Sequence, residues 1–244
     1  MSTTISSTKA VAGDSKVIVT NQPGIHEKLD VLVKKHLAKR SQKPFQPHTK
    51  AAFEQVNSSV EKYIAECKVS SINPEVILDS CCGVGQSTRL LAKNNPQALV
   101  IGVDKSAHRI NRNVEEVTHD NGEGINNYQL VRADLNDFYR LVVNANWPIK
   151  KHYILYPNPW PKSKHVQRRW HGSAVFPEIL EIGQQIILRS NWLLYLQEFQ
   201  FAAKIAGINS DISEVAAKPG AALTPFEAKY QTSGQVCWQL ILNR

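Results

Sequence analysis

Apolar residues recur along this chain in two rhythms, and the change between them divides it. Ile25, Leu29, Leu32, Val33 and Leu37 fall three or four residues apart, while Lys28, Lys34, Lys35, Lys39 and Arg40 occupy the opposite face. That spacing predicts an amphipathic helix with a basic outer side. Pro44 and Pro47 end it. Thr49 is placed to cap a second helix, with Phe53, Val56, Val60, Tyr63 and Ile64 as its apolar stripe. Before residue 22 the chain is rich in Ser, Thr and Lys and ends in Asn21-Gln-Pro-Gly24, which predicts a flexible arm.

From Pro74 onward, short apolar runs alternate with helical stretches. Strands are expected at 75–79, 98–104, 128–132, 152–156, 192–197, 212–215 and 235–242. Helices are expected at 87–93, from the second strand to about His119, and at 135–143, 175–189 and 199–206. Strands interleaved with helices imply a parallel sheet covered on both faces. The last two strands, joined without a helix, predict a terminal hairpin with one antiparallel member. The expected architecture is therefore α/β and Rossmann-like. It has a seven-stranded, mostly parallel sheet over residues 73–244, an N-terminal helical extension over 25–72 and an arm over 1–24.

Composition narrows the partners. With 244 residues, 42% of them hydrophobic, the chain can bury one sizeable core. No apolar run approaches the ~20 residues needed to cross a bilayer, so no membrane partner is expected. The first residues carry no apolar signal region, and a cytoplasmic location is expected. Cys67, Cys81, Cys82 and Cys237 lack metal-ligand spacing and read as reduced thiols, so no metal is expected. The net charge of +8 favours an anionic partner.

Two motifs carry the chemistry. Asp79-Ser-Cys-Cys-Gly83-Val-Gly85 follows the first strand of the sheet, where open α/β sheets bind ligands. Gly83 and Gly85 let the backbone pass close to a ligand. A dinucleotide site would carry a third glycine, but here Gln86 follows. Asp79 suits a ligand with a cationic ammonium, such as the methionine part of S-adenosylmethionine. Asp104 ends the second strand and is placed for two ribose hydroxyls. Asp134 follows the third strand and is placed for an adenine amino group. The plainer reading of these carboxylates is helix capping, with Asp134 the first to which it would apply.

The second motif is Tyr156-Pro-Asn158-Pro-Trp160-Pro-Lys162 at the end of the fourth strand. Flanking prolines restrict the backbone around Asn158, although Asn and Pro also make plain turns. Lys164, His165, Arg168 and Arg169 follow, bordered by Trp160 and Trp170. Cations bind phosphates, and aromatics stack on exposed bases; the plainer reading is a solvated loop.

The run Tyr-Pro-Asn-Pro-Trp-Pro-Lys-Ser-Lys-His-x-x-Arg-Arg, with Phe176-Pro-Glu178 downstream, resembles the bacterial tRNA (guanine(46)-N7)-methyltransferases, which have the class I methyltransferase fold. Thr224-Pro-Phe226-Glu227 is similar to that family's Thr-x-x-Glu motif. The resemblance covers roughly residues 74 to 244. It implies that Asp79, Gly83, Gly85, Asp104, Asp134 and Asn158 hold S-adenosylmethionine, and that Asn158 is catalytic. It further implies that Lys162, Thr224 and Glu227 contact the guanine nucleotide of a tRNA. Two departures stand out. The family has Asp where this chain has Asn158. It also has an acidic residue after the fifth strand, where Glu198 is the acidic residue offered here and is expected to bind the substrate. A monomer or homodimer is expected.

Guanine N7 has a lone pair and no proton, so methylating it needs placement rather than a general base. A carboxylate would stabilise the charge growing on the purine; an amide orients partners but supplies no net charge. Asn158 therefore leaves two further readings open. One is methylation of an exocyclic or side-chain amino group through an Asn-Pro motif. The other is a catalytically weak RNA-binding relative.

Overall fold

The computed structural model describes residues 15–112, 124–218 and 220–244. Its centre is a seven-stranded sheet in the order β3-β2-β1-β4-β5-β7-β6. The strands are β1 (Val76–Ser80), β2 (Leu99–Asp104), β3 (Tyr128–Arg132), β4 (Ile149–Leu155), β5 (Gln185–Ser190), β6 (Ser210–Glu214) and β7 (Trp238–Asn243). β1 pairs in parallel with β2 and β4, and the parallel pairing continues to β3 and β5. β7 runs antiparallel to both β5 and β6. Every residue of β1 and β2 is buried, as the unbroken apolar runs require of strands covered on both faces.

The pleat sends alternate residues to opposite faces. Val76 and Leu78 enter the larger apolar cluster and Ile77 the smaller one. The larger cluster also takes side chains from α1 (Leu29–Ala38), α2 (Pro47–Val69), α5 (Leu135–Ala145), α6 (Phe176–Glu181) and α7 (Leu193–Ile205). The smaller one is closed by Leu91 and Ala92 of α3 (Gln86–Asn94). A further helix, α4, opens at 107 and is described to 112; the expected extension toward His119 lies outside the described residues. The two N-terminal helices share the core of the sheet: Phe53 stacks on Trp147 at 5.1 Å and meets Phe138 edge-on at 5.4 Å.

Several expectations are corrected. Pro47 does not break a helix but begins α2, in the first helical position where its missing N–H costs nothing. Thr49 is not the cap; its hydroxyl accepts from the Asp134 N–H at 3.2 Å. The stretch 175–189 is not one helix. It contains α6, a turn through Gly183 at φ +87°, and then β5. The run 192–197, expected as a strand, is the first half of α7. The last two strands are joined through α8 (Pro225–Thr232) rather than without a helix.

Residues 1–14 of the expected arm lie outside the described residues. From Ser15 the chain is tied down rather than free, because its side chains bond to the loop after β4 and to α7. Thr20 Oγ1 donates to the Pro161 carbonyl at 2.6 Å, and Asn21 Oδ1 accepts from the Ser163 N–H at 3.0 Å. Gln22 Nε2 donates to Glu198 Oε1 at 2.5 Å. Among the described residues no helix is long and apolar enough to cross a membrane, and no cluster of His, Cys, Asp and Glu is placed to hold a metal ion. All four cysteines are free thiols.

Candidate functional site

A cavity of about 730 Å³ opens at the carboxyl ends of the parallel strands. Two sharp turns shape it. Cys81, the first residue after β1, has φ 63°, and Tyr156, the first after β4, has φ 50°. Non-glycine residues in the left-handed region cost energy that the surrounding fold must supply, and such residues cluster at working sites. Gly83 and Gly85 also have positive φ, 61° and 80°. A Cβ on Gly83 would meet no atom within 4 Å, so the turn leaves open space on its cavity side.

Asp79 lies beneath this turn with no solvent exposure. Its Oδ2 accepts from Ser87 Oγ at 2.6 Å and Thr88 Oγ1 at 2.7 Å, both at the start of α3. Its Oδ1 is buried with no partner in the protein. Burial pushes its pKa up to about 6 despite the two hydroxyl donors. An unpaired buried carboxylate oxygen is costly, and a ligand ammonium would satisfy it.

Asp104, at the tip of β2, accepts from Gly83 N at 3.1 Å and Ser106 N at 2.8 Å, so it fixes the glycine turn as well as lining the cavity. Arg109 Nη1 lies 3.7 Å from its Oδ2. Asp134 caps α5 by accepting from Asn136 N at 2.9 Å, as the plainer reading held, yet it also lines the cavity. Burial raises its pKa, but hydrogen bonds from Lys105 and Asn136 outweigh this and hold the carboxyl below its ordinary value. Asn158 is exposed at the cavity wall, its Oδ1 within 3.4 Å of the Trp160 N–H.

The acceptor-side residues divide. Thr224 lines the cavity and caps α8, accepting from Glu227 N at 3.0 Å. Glu227 is buried behind it, bound by Arg189 Nη1 at 3.0 and 3.1 Å. Lys162 is exposed just beyond Asn158, and Lys164 and Arg168 are exposed on the 3-10 turn Ser163–Arg168, with half-buried His165 between them. The Arg168 guanidinium sits 4.6 Å from the Trp160 ring centroid.

Two residues are not where the sequence reading put them. Arg169 is not a surface cation. It is fully buried, donating to Glu198 Oε2 at 2.5 Å and, through Nε and Nη2, to the Trp160 carbonyl at 3.2 and 3.1 Å. Glu198 does not face the cavity. It lies inside α7, completely buried, and accepts from Arg169, Gln22, the His26 N–H and His171. Burial raises its pKa, but these donors dominate and hold it at about 2. The residue that follows β5 is Asn191, an amide, whose Nδ2 donates to Gln235 Oε1 at 2.8 Å. The sequence reading passed over Lys105, Arg109 and Tyr156 as site residues. The signal was there for the first two, cations within five residues of Asp104.

A family model described as "Putative methyltransferase" matches residues 73–240. A "tRNA (guanine-N(7)-)-methyltransferase" of Treponema pallidum (strain Nichols) is 25% identical over 162 residues, covering 65% of this chain and 62% of the relative. One of Aquifex aeolicus (strain VF5) is 24% identical over 174 residues, covering 70% of this chain and 57% of the relative. The chain thus spans about three fifths of the length of these relatives. Among solved structures, a 16S rRNA (adenine(1408)-N(1))-methyltransferase with cosubstrate SAM, from Catenulisporales acidiphilia, superposes with a TM-score of 0.54. It is 13% identical and covers 77% of this chain and 90% of its own, a likeness of fold.

Proposed function

The chain belongs to that methyltransferase family, and from this premise we propose that it transfers the methyl group of S-adenosylmethionine to N7 of a guanine in tRNA. The supporting observation is the row of Asp79, Asp104 and Asp134 at three successive strand ends, on or beneath one cavity that Asn158 also lines. The residues fit the cofactor. The unpaired Oδ1 of Asp79 matches an ammonium, the open side of Gly83 leaves room for a ligand, and Asp104 and Asp134 offer acceptors for hydroxyl and amino donors. When bound, S-adenosylmethionine supplies an electrophilic methyl group on a sulfonium.

The protein's part is placement. The left-handed turn at Tyr156 and the prolines around Asn158 fix that amide at the cavity wall. Its carbonyl oxygen can accept from a donor on the purine and its NH₂ can donate to an acceptor. No proton leaves N7, so no base is required. Lys162, Lys164, His165 and Arg168, just past Asn158, would hold the phosphates flanking the target. We read the acceptor as guanine 46, the position for which the resembled family is named. Asn158 also supports a second reading, transfer to an exocyclic amino group, because an amide oxygen accepts from such a nitrogen.

Incubation with an unmodified tRNA transcript and methyl-labelled cofactor tests the proposal. Label is expected in the RNA. An unlabelled RNA, with cofactor demonstrably bound, would contradict it.

A further inference from the structure

The cavity wall built by the start of α8 carries an aromatic ring that none of these roles uses. Phe226 is 48% exposed and lines the cavity together with Asn158 and Thr224. An exposed large apolar side chain on a loose loop would mean little. Phe226 instead sits on an anchored helix turn. Thr224 caps that turn, Pro225 fixes its first helical φ, and buried Glu227 ties it to Arg189. Tyr230, one turn further along α8, backs the ring with centroids 6.3 Å apart and planes 25° from parallel. Tyr156 lies 5.5 Å from Tyr230 in turn. The fold holds an aromatic face rigidly at the cavity and leaves it uncovered.

Trp170 and Trp160 are the rival rings: Trp170 lines the cavity but is half-buried against the core, meeting Tyr139 edge-on at 5.4 Å, and the Trp160 ring is engaged elsewhere. The Arg168 guanidinium lies 4.6 Å from its centroid, and the His165 ring meets it edge-on at 5.6 Å. Trp160 is not among the cavity-lining residues.

We propose that Phe226 is the stacking platform for the acceptor purine. This rests on the RNA-methylation reading and adds how the base is held. A base that enters a cavity leaves its neighbours in the RNA, and an aromatic face replaces the stacking it loses. Stacking is tolerant of base identity, so Phe226 supplies affinity and orientation of the ring plane. Polar contacts from Asn158 and Thr224 distinguish one purine edge from another.

The test compares Phe226→Ala, Phe226→Leu and Phe226→Tyr in the full chain. The readouts are kcat/KM on unmodified tRNA, cofactor affinity by calorimetry and thermal midpoint. Phe226→Ala is expected to lose about tenfold or more in kcat/KM for tRNA. Cofactor affinity and thermal midpoint should stay at wild-type values. Phe226→Tyr should retain activity, whereas Phe226→Leu, which keeps apolar bulk without a π face, should not. Leu performing as well as Tyr would reduce the ring to a space filler and overturn the proposal, as would an unimpaired Phe226→Ala. A wild-type protein that labels no tRNA would overturn the methylation reading and the platform with it. An active wild type with an indifferent Phe226→Ala overturns the platform alone.

Discussion

Arg169 and Glu198 form an ion pair with both side chains fully buried, 2.5 Å from Nη1 to Oε2. The same guanidinium donates to the carbonyls of Trp160 and Lys162, so the pair sets the path of the loop that follows Asn158. Gln22 closes the arrangement, donating to Glu198 and accepting from Arg169 at 3.0 Å. Removing one partner strands the other charge in the interior. Glu198→Gln is expected to cost about 3–5 kcal/mol of stability. A fall in the urea midpoint at unchanged slope would register it. A midpoint equal to wild type would show that the pair carries no net stability.

The acid limb of the stability curve follows from three buried groups. Donors hold Glu198 near 2, so its contribution is full above the ordinary carboxylate value and is lost as pH falls toward 2. Burial pushes His152 down to about 3 and lowers His171, so both favour the folded state while neutral. Their contribution is lost as pH drops below the ordinary imidazole value of 6.5. Asp79 acts oppositely: raised to about 6, it stabilises most at low pH and loses that contribution as pH rises through 6. Between pH 7 and 4.5 the two histidines outnumber Asp79, and below 4.5 the loss from Glu198 joins theirs, so denaturation midpoints measured from pH 7 to pH 3 should fall.

Cofactor affinity should depend on pH through Asp79. An ammonium binds the ionised carboxylate, and burial sets that ionisation at about 6. The dissociation constant for S-adenosylmethionine is expected to rise about tenfold per unit below pH 6 and to level off above it. Asp79→Asn should bind weakly and lose this dependence. Asp104→Ala should also bind weakly, since it removes a cavity acceptor and frees the Gly83 and Ser106 N–H groups. Calorimetry at pH 5, 6 and 7.5 separates the two variants. Unchanged affinity in either would contradict the placement of the cofactor.

Asn158→Asp restores a carboxylate where the resembled family has one. It should keep or raise transfer to guanine N7, because a nearby negative charge stabilises the positive charge that grows on the purine. Rates under single-turnover conditions report it directly. Complete loss would mean that the amide itself is required, which favours an amino-group acceptor.

The parallel half of the sheet and the strand ends that line the cavity were legible because β1 and β2 are continuous apolar runs, each with an Asp at or near its end. The second half was harder. Val175 to Arg189 carries apolar residues at spacings that suit a helix, and only the left-handed turn at Gly183, where an added Cβ would come within 3.2 Å of Ile149, divides it into α6 and β5. Trp192-Leu-Leu-Tyr-Leu reads equally as a strand or as a helix buried nearly all round, because short apolar runs carry no period. Misplacing β5 moved its end by seven residues and led to Glu198 instead of Asn191. The burial of Arg169 was hidden for another reason. Its partners, Gln22 and Glu198, lie 147 and 29 residues away in sequence, and a run of basic residues looks the same whether or not one of them turns inward.

Methyl transfer to guanine N7 in RNA stands or falls on the identity of the modified nucleoside. Unmodified tRNA is incubated with the protein and S-adenosylmethionine, digested to nucleosides and analysed by mass spectrometry. 7-Methylguanosine is the expected product. A methylated nucleoside carrying its new group on an exocyclic nitrogen, with no 7-methylguanosine, would contradict the account.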